Sequence, residues 1–497
     1  MPETVQLAPG LTVPRVLTGL WQIADLEKDG TMVDREDASQ ALIHYINDGF
    51  SAFDMADHYG SAELIAGEAR RKLLASNAED SAHFFTKWCP DVSQCTPAAV
   101  RAGVQQRLDR LDTPCIDLLQ LHWWTFEHPG WVDLMDTIMT LKAEGKISHI
   151  GLTNVDADHL HLMVAEGFEI ASNQVSMSII DRRAAGELSQ VCLEHDVKLL
   201  TYGTLCGGFL SEKWLGKPEP EHIPDWPKMK YKRFIDTAGG WNSLQAVLEA
   251  LAIVAKRHDV SLSNVATRWV MEHEAVACVI VGARLLQSEH RRDNAALSSF
   301  ALTTQDHELL NPVLNTLTPI PGDCGDEYRK PPFLTASGDL SHHLDAIPTV
   351  FKPVETRPGR WRISTGSVWE DICGYSRSVR IGNRIHVSGT TATHGGDRCI
   401  GTGDVRAQTV FILDKIAAAI RALAGSLDDV VRTRIYLRDV SQWESASRVH
   451  GRYFADILPV NTLIEVSNLV GDYDVEIEAE AEISSTDVPH GYQGDGF

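Results

Sequence analysis

The chain has 497 residues, 43% of them hydrophobic and 23% charged, with a mean hydropathy of −0.14. That is a globular composition and more length than one ordinary domain takes. A formal net charge of −23 and an isoelectric point near 5.3 exclude general attraction to nucleic-acid phosphates or anionic membranes.

The N-terminal residues lack the basic, then apolar, pattern of a leader, and no run of 18 apolar residues follows, so no membrane association and a cytoplasmic location are expected. Nine cysteines occur between Cys89 and Cys399 without a CxxC pair. This predicts reduced thiols rather than a disulfide framework or a zinc ribbon.

From residue 15 to about 300, short β-rich runs alternate with amphipathic helical ones. Strands are expected at 15–21, 51–56, 84–88, 117–122, 147–153, 171–176, 198–205 and 278–283. Between them lie helices with ordinary boundaries: Thr96 can N-cap and Pro97 suits the first helical position, while Val100, Val104, Leu108 and Leu111 share one face. Another helix ends at Gly49, a natural terminator. Eight alternating strands predict an α/β class protein with a (β/α)₈ TIM barrel over residues 1–317.

Residues 318–354, rich in Pro, Gly and Asp, read as a linker. A smaller α+β domain is expected over 355–497. It contains strands at 384–392 and 430–437, a helix from Asp404 to Gly425, a second helix around 441–454, and the alternating run "DVEIEAEAEI".

In such barrels the reacting groups stand on loops after the strands. Asp54 and Tyr59 in "FDMADHYGSAE", Lys87 closing "FFTKW" and His122 closing "LLQLH" all fall there. An ammonium beside a phenol stabilises tyrosinate and lowers its pKa; Lys87, held by Asp54, is expected to do this for Tyr59. His122 is expected to orient a substrate oxygen. His58 beside Asp54 and Asp57 lacks a second histidine at ligand spacing, so no metal is expected. Trp21, Trp88, Trp123 and Trp124 follow or end strands beside these groups, so some of them are expected to wall the substrate pocket, Trp88 and Trp123 most of all, because each follows a reactive residue. The set can move a proton but carries no electrons, and no GxGxxG follows the first strand.

Residues 5–315 resemble an aldo-keto reductase. The likeness rests on "FDMADHYGSAE", "FFTKWCP", "DLLQLHWW", "ISHIGLTN", "NQVSMS", "LTYGTLCGGFLSEKWLG" and "VIVGARLLQSEHRRDNAAL" in the family's order. The resemblance implies Tyr59 as general acid, Lys87 and Asp54 as its tuning pair, and His122 as the orienting imidazole. It implies a nicotinamide cofactor held by Thr153, Asn154 and Gln174, with Tyr202 stacking on the ring. Gly282 and Arg284 would approach the phosphates, and His290, Asp293 and Asn294 the adenosine end. Arg284 and His290 point to NADPH, with NADH as the alternative.

Residues 373–483 resemble the RidA (YjgF/YER057c/UK114) superfamily through "GYSRSVRIGNRIHVSGTTA" and "PVNTLIEVSNLVGDYDVEIEAEAEI". The resemblance implies trimers and, in the best-known members, hydrolysis of imines and enamines. A ligand site of Tyr375, Glu476 and Asn461 is expected. Asn461 stands where active members carry an arginine, and an amide supplies neither that charge nor its fork.

The combined expectation is an NAD(P)H-dependent reductase of a small carbonyl or imine, with the second domain binding an imine or enamine or trimerising the chain. The alternatives are an NAD(P)⁺-dependent sugar or alcohol dehydrogenase, and an NADPH-binding redox-sensing subunit without turnover.

Overall fold

The computed structural model describes residues 2–28, 30–78, 81–223, 226–287, 290–330 and 347–484. The chain divides into two compact units.

The first opens with an antiparallel hairpin, β1 (Thr4–Ala8) and β2 (Leu11–Pro14). Eight parallel strands follow: β3 (Val16–Gly19), β4 (Ala52–Asp54), β5 (His83–Trp88), β6 (Ile116–Leu121), β7 (Ile147–Thr153), β8 (Ser172–Ser176), β9 (Lys198–Tyr202) and β10 (Val276–Gly282). They close in the order β10-β3-β4-β5-β6-β7-β8-β9. Each coincides with an expected strand.

Leu7, Leu11 and Val13 of the hairpin pack with Leu17, Phe85, Leu118 and Leu200 in one apolar cluster that plugs an end of the barrel. The polar chemistry therefore has only the other end to occupy. The helix Pro97–Leu111 begins as its sequence dictates: the Thr96 hydroxyl accepts from the Ala99 amide at 3.3 Å, and Val100, Val104, Leu108 and Leu111 are buried.

The stretch expected to be a linker has structure of its own where it is described. Ile320, Cys324 and Glu327 are buried, a short helix spans Asp326–Arg329, and the Glu327 carboxylate lies 3.0 Å from the Arg183 guanidinium. Residues 331–346 lie outside the described residues.

The second unit is built on a mixed sheet. Its strands are β11 (Val354–Arg357), β12 (Arg360–Ile363), β13 (Ser378–Ile381) and β14 (Arg384–Thr390), then a two-residue hairpin, β15 (Thr393–His394) and β16 (Arg398–Cys399), and finally β17 (Val430–Leu437), β18 (Val460–Glu465) and β19 (Val475–Glu482). Seven of these pair in the order β11-β12-β13-β14-β19-β17-β18, parallel only between β17 and β18.

The buried helix Val405–Ala422 packs on β14 and β19, its Asp404 cap accepting from Ala407 at 2.8 Å. Alternation in β19 buries Val475, Ile477, Ala479 and Ala481, leaving the glutamates between them half-buried. The left-handed residue ending the helix is Ala424 (φ 62°) rather than Gly425. Gly425 serves packing instead, since a Cβ there would stand 2.9 Å from Ile385 and Ile420.

Candidate active site

Asp54 ends β4, Lys87 lies at the end of β5, and His122 follows β6, so three neighbouring strands deliver them to one mouth. All three are buried, at 3%, 2% and 5% exposure. Lys87 Nζ donates to Asp54 Oδ2 at 2.6 Å. The other carboxylate oxygen accepts from Gln120 Nε2 at 3.0 Å and Gln174 Nε2 at 2.7 Å. Buried charge of this kind is tolerated only when its hydrogen-bonding capacity is filled, and here the neighbouring amides fill it.

Lys87 Nζ also lies 4.9 Å from the centre of the Tyr59 ring. The expected consequence, a lowered phenol pKa, is corrected by the structure. Burial pushes the Tyr59 hydroxyl well above its ordinary value, and Asp54 adds to the rise. The ammonium that was to stabilise tyrosinate is matched by a carboxylate, so its field at the phenol is offset. Tyr59 therefore keeps its proton.

Burial holds the His122 imidazole well below its usual range, assisted by Arg329, so the ring is neutral at pH 7. Its Nδ1 lies 3.4 Å from Cys89 Sγ, and its buried Nε2 has no partner. A neutral imidazole with one nitrogen engaged and the other open offers a single directed hydrogen bond.

These groups line a cavity of about 670 Å³. Thr153 and Asn154 at the end of β7, Gln174 of β8 and Tyr202 of β9 share its wall with Gly282, Arg284, His290, Asp293 and Asn294. Trp21 and Trp124 line it as well. Trp88 and Trp123 do not: both are core residues, 2% and 1% exposed, with Trp88 beneath the Arg107 guanidinium at 5.3 Å. The period-two geometry of extended chain explains this, because once Lys87 and His122 face the cavity their immediate successors face away. Trp124, two residues past His122, returns to the same side and packs on its ring at 4.5 Å.

Asp57, His58 and Cys89 bring possible metal-ligand atoms within 4.8 Å of one another. The Asp57 carboxylate is already engaged by Arg107 at 2.8 Å, His58 at 2.9 Å and the Cys89 amide at 3.2 Å. These contacts describe a brace for the loop that carries Tyr59.

A dinucleotide suits the wall. Thr153 Oγ1 and Gln22 Oε1 are buried there without a hydrogen-bond partner, and a Cβ on Gly282 would collide with the Gln22 amide at 2.2 Å. Lys213 and Arg284 supply positive charge along it. Arg284 is also paired with buried Asp25 at 3.0 Å, which the sequence reading missed. So were Gln120 and the contributors from the supposed linker. Tyr328 lines the cavity, and Arg329 donates to the backbone oxygens of Asn154 and, at 3.0 Å, Trp123.

Comparison with known proteins decides the lineage. The pattern described as the Aldo/keto reductase family matches residues 15–315, more than half of the chain. The chain belongs to the aldo/keto reductase family. Its barrel is thus that of an oxidoreductase family that uses nicotinamide cofactors.

A NADH-specific methylglyoxal reductase of Escherichia coli (strain K12) is 25% identical over 326 residues, covering 62% of this chain and 96% of that protein. The solved glycerol dehydrogenase of Gluconobacter oxydans, at 22% identity and a TM-score of 0.52, covers 64% of this chain and 97% of its own; at that identity it shares the fold.

Residues 367–483 match a second family, described as Endoribonuclease L-PSP. A RutC family protein of Pyrococcus abyssi is 33% identical over 119 residues, 24% of this chain and 94% of that protein. The C-terminal region of this aldo/keto reductase family member is therefore RidA-like.

In that region Tyr375 and Glu476 lie about a buried arginine, Arg377. The Tyr375 hydroxyl accepts from it at 3.0 Å, and its charge acts on Glu476, whose carboxyl burial pushes up. Asn461 does not join them within one chain. It pairs with Thr433 across β17 while Glu476 pairs with Tyr436, which separates them by roughly 10 Å along the strands and roughly 10 Å across. Its amide donates to Thr433 Oγ1 at 2.9 Å.

Proposed function

We propose that this chain is an NADPH-dependent reductase of an aldehyde, ketone or imine, with Tyr59 as the proton donor. The observation that carries the reading is the convergence of Tyr59, Lys87–Asp54 and the open Nε2 of His122 on one cavity.

The nicotinamide, when bound, supplies the hydride; Thr153, Asn154, Gln174 and Tyr202 would hold it. His122, neutral, presents one hydrogen bond to the substrate oxygen or nitrogen. Tyr59, kept protonated by its surroundings, gives that atom its proton as negative charge develops. Lys87 faces the Tyr59 ring at 4.9 Å, its pull on the phenolate left behind reduced by its partner Asp54.

Tyr59→Phe is expected to lower kcat by about 10² to 10⁴, the range for a positioned general acid, with NADPH affinity measured by fluorescence titration unchanged. Full turnover by this variant on the best substrate overturns the reading.

For the RidA-like domain we propose assembly rather than hydrolysis. Arg377 cannot stand in for the arginine absent at Asn461, since its guanidinium is engaged by Ser388 at 3.3 Å, Thr390 at 3.1 Å, Tyr375 and the Gly389 carbonyl. Meanwhile Val460 and Ile464 on β18, with Leu458 and Val470 nearby in sequence, are exposed, an apolar edge of the kind that marks an interface. The full chain is expected to sediment as a trimer; a monomer at micromolar concentration would refute this.

A further inference from the structure

The family match ends at residue 315, and the cofactor wall just described receives a contribution from beyond it. Tyr328 is fixed there from both flanks. Glu327 is fully buried against Arg183, which also grips Asp181 at 2.8 Å. Arg329 donates to the backbone oxygen of Asn154, a residue held at φ 56°.

Four polar side chains then form a line. Lys230 Nζ is 2.5 Å from the Tyr328 hydroxyl, that hydroxyl is 3.2 Å from the Tyr202 hydroxyl, and Tyr202 donates to Asn154 Oδ1 at 2.7 Å.

The line has a direction fixed by its ends. An ammonium only donates and an amide oxygen only accepts. Tyr328 therefore accepts a hydrogen bond from Lys230 and donates its O–H to the Tyr202 oxygen, and Tyr202 donates its O–H to Asn154 Oδ1. With its oxygen held by Tyr202, the Asn154 amide is fixed in orientation with its N–H₂ group as the donor it offers a ligand in the cavity it lines. Tyr202, bonded on both sides, has its hydroxyl fixed in place.

We infer that Lys230 and Tyr328 are positioning residues for the cofactor: through Tyr202 and Asn154 they turn an amide donor toward the carbonyl oxygen of a nicotinamide carboxamide. This rests on the reductase reading, and it assigns a role to Lys230, on the helix Trp226–Thr237, and to Tyr328, in the stretch expected to be a linker. Lys230 and Tyr328 touch neither hydride nor proton in this scheme.

The test is cofactor affinity rather than turnover. In the full chain, Tyr328→Phe and Lys230→Met should each weaken NADPH binding about tenfold by fluorescence titration, as loss of one net hydrogen bond implies. Binding of 2′,5′-ADP, which carries no nicotinamide, should stay within about twofold of the parent. Equal weakening of both ligands, or NADPH bound as tightly as by the parent, overturns the inference while leaving the reductase reading in place. A parent protein that binds no NADPH overturns both.

Discussion

The two units treat buried charge differently. Around the barrel cavity, charged and polar groups are satisfied in a way that leaves one function of each facing inward: Asp54 is saturated so that Lys87 can lie against Tyr59, and Cys89 takes one nitrogen of His122 so that the other stays open. In the RidA-like unit the terminal nitrogens of buried Arg377 are taken by Ser388, Gly389, Thr390 and Tyr375, its Nε faces the Glu370 carboxylate at 3.5 Å, and buried Lys415 donates to the Thr393 carbonyl at 2.8 Å. Asn461 falls on the exposed strand β18. A site is not made by burying charge. It is made by leaving one valence of an otherwise satisfied network facing a cavity, as His122 does.

The sharpest way to break this contrast is at the ion pair. Lys87→Met leaves the Asp54 carboxylate buried with only Gln120 and Gln174 as donors, and removing one partner of a buried pair costs about 3–5 kcal/mol. Denaturant melts should show a loss of that order, and kcat should fall by at least about 10². If stability is unchanged, Asp54 was not relying on the ammonium. The second largest effect lies in the other unit. Val460→Glu with Ile464→Glu puts charge on the exposed β18 edge and should convert a trimer to monomers in sedimentation velocity, with turnover by the barrel within about twofold. Loss of turnover on dissociation would mean that the barrel site is not self-sufficient.

A smaller effect follows from Lys415, whose pKa burial pushes down to about 7, with Arg377 adding to the shift. An unfolded lysine titrates near ~10.4. Below about pH 7 both states carry the proton and the full cost of the buried ammonium is present; between there and ~10.4 the unfolded state holds more proton, so stability rises with pH. Lys415→Met should therefore be more stable than the parent at pH 6, by roughly 1–4 kcal/mol on precedent for replaced buried charges, with the advantage shrinking by pH 10. A constant difference across that window would refute the assignment.

What was legible in the sequence is what strand periodicity and strand ends encode. All eight barrel strands and the residues at their ends are local patterns: an apolar run, then a reactive side chain. Trp88 and Trp123 failed for a reason that was also local, since a residue one position past a cavity-facing one must point away, and the same rule pointed to Trp124. It also pointed to Gln120, two residues before His122 on the same face.

Tyr328 was not legible. Its segment reads "PIPGDCGDEYRKPP", punctuation without periodicity, and its place is set by contacts far away in sequence, such as Arg183–Glu327, 144 residues apart, and Arg329 to Asn154. The Tyr59 pKa shift was misread for a related reason. The sequence showed an ammonium nearby, whereas its effect depends on a carboxylate and a degree of burial that only the assembled fold supplies.

The smallest expected effect lies at Cys89, and it tests whether the open valence of His122 is set from behind. Burial pushes the Cys89 thiol well above its ordinary pKa, with Asp57 adding to the rise, so at pH 7 it is a protonated S–H beside Nδ1. A weak donor at Nδ1 favours the neutral tautomer with its proton on Nε2, the one able to hydrogen-bond a substrate oxygen. Cys89→Ala removes that bias and leaves the ring free to place its proton on either nitrogen. The His122 ¹⁵N shifts should then move toward a tautomer mixture, and kcat/KM should fall about threefold. Cys89→Ser, which keeps a donor at the position, should restore both. An alanine variant with unchanged ¹⁵N shifts would show that the cavity side, not Cys89, fixes the ring.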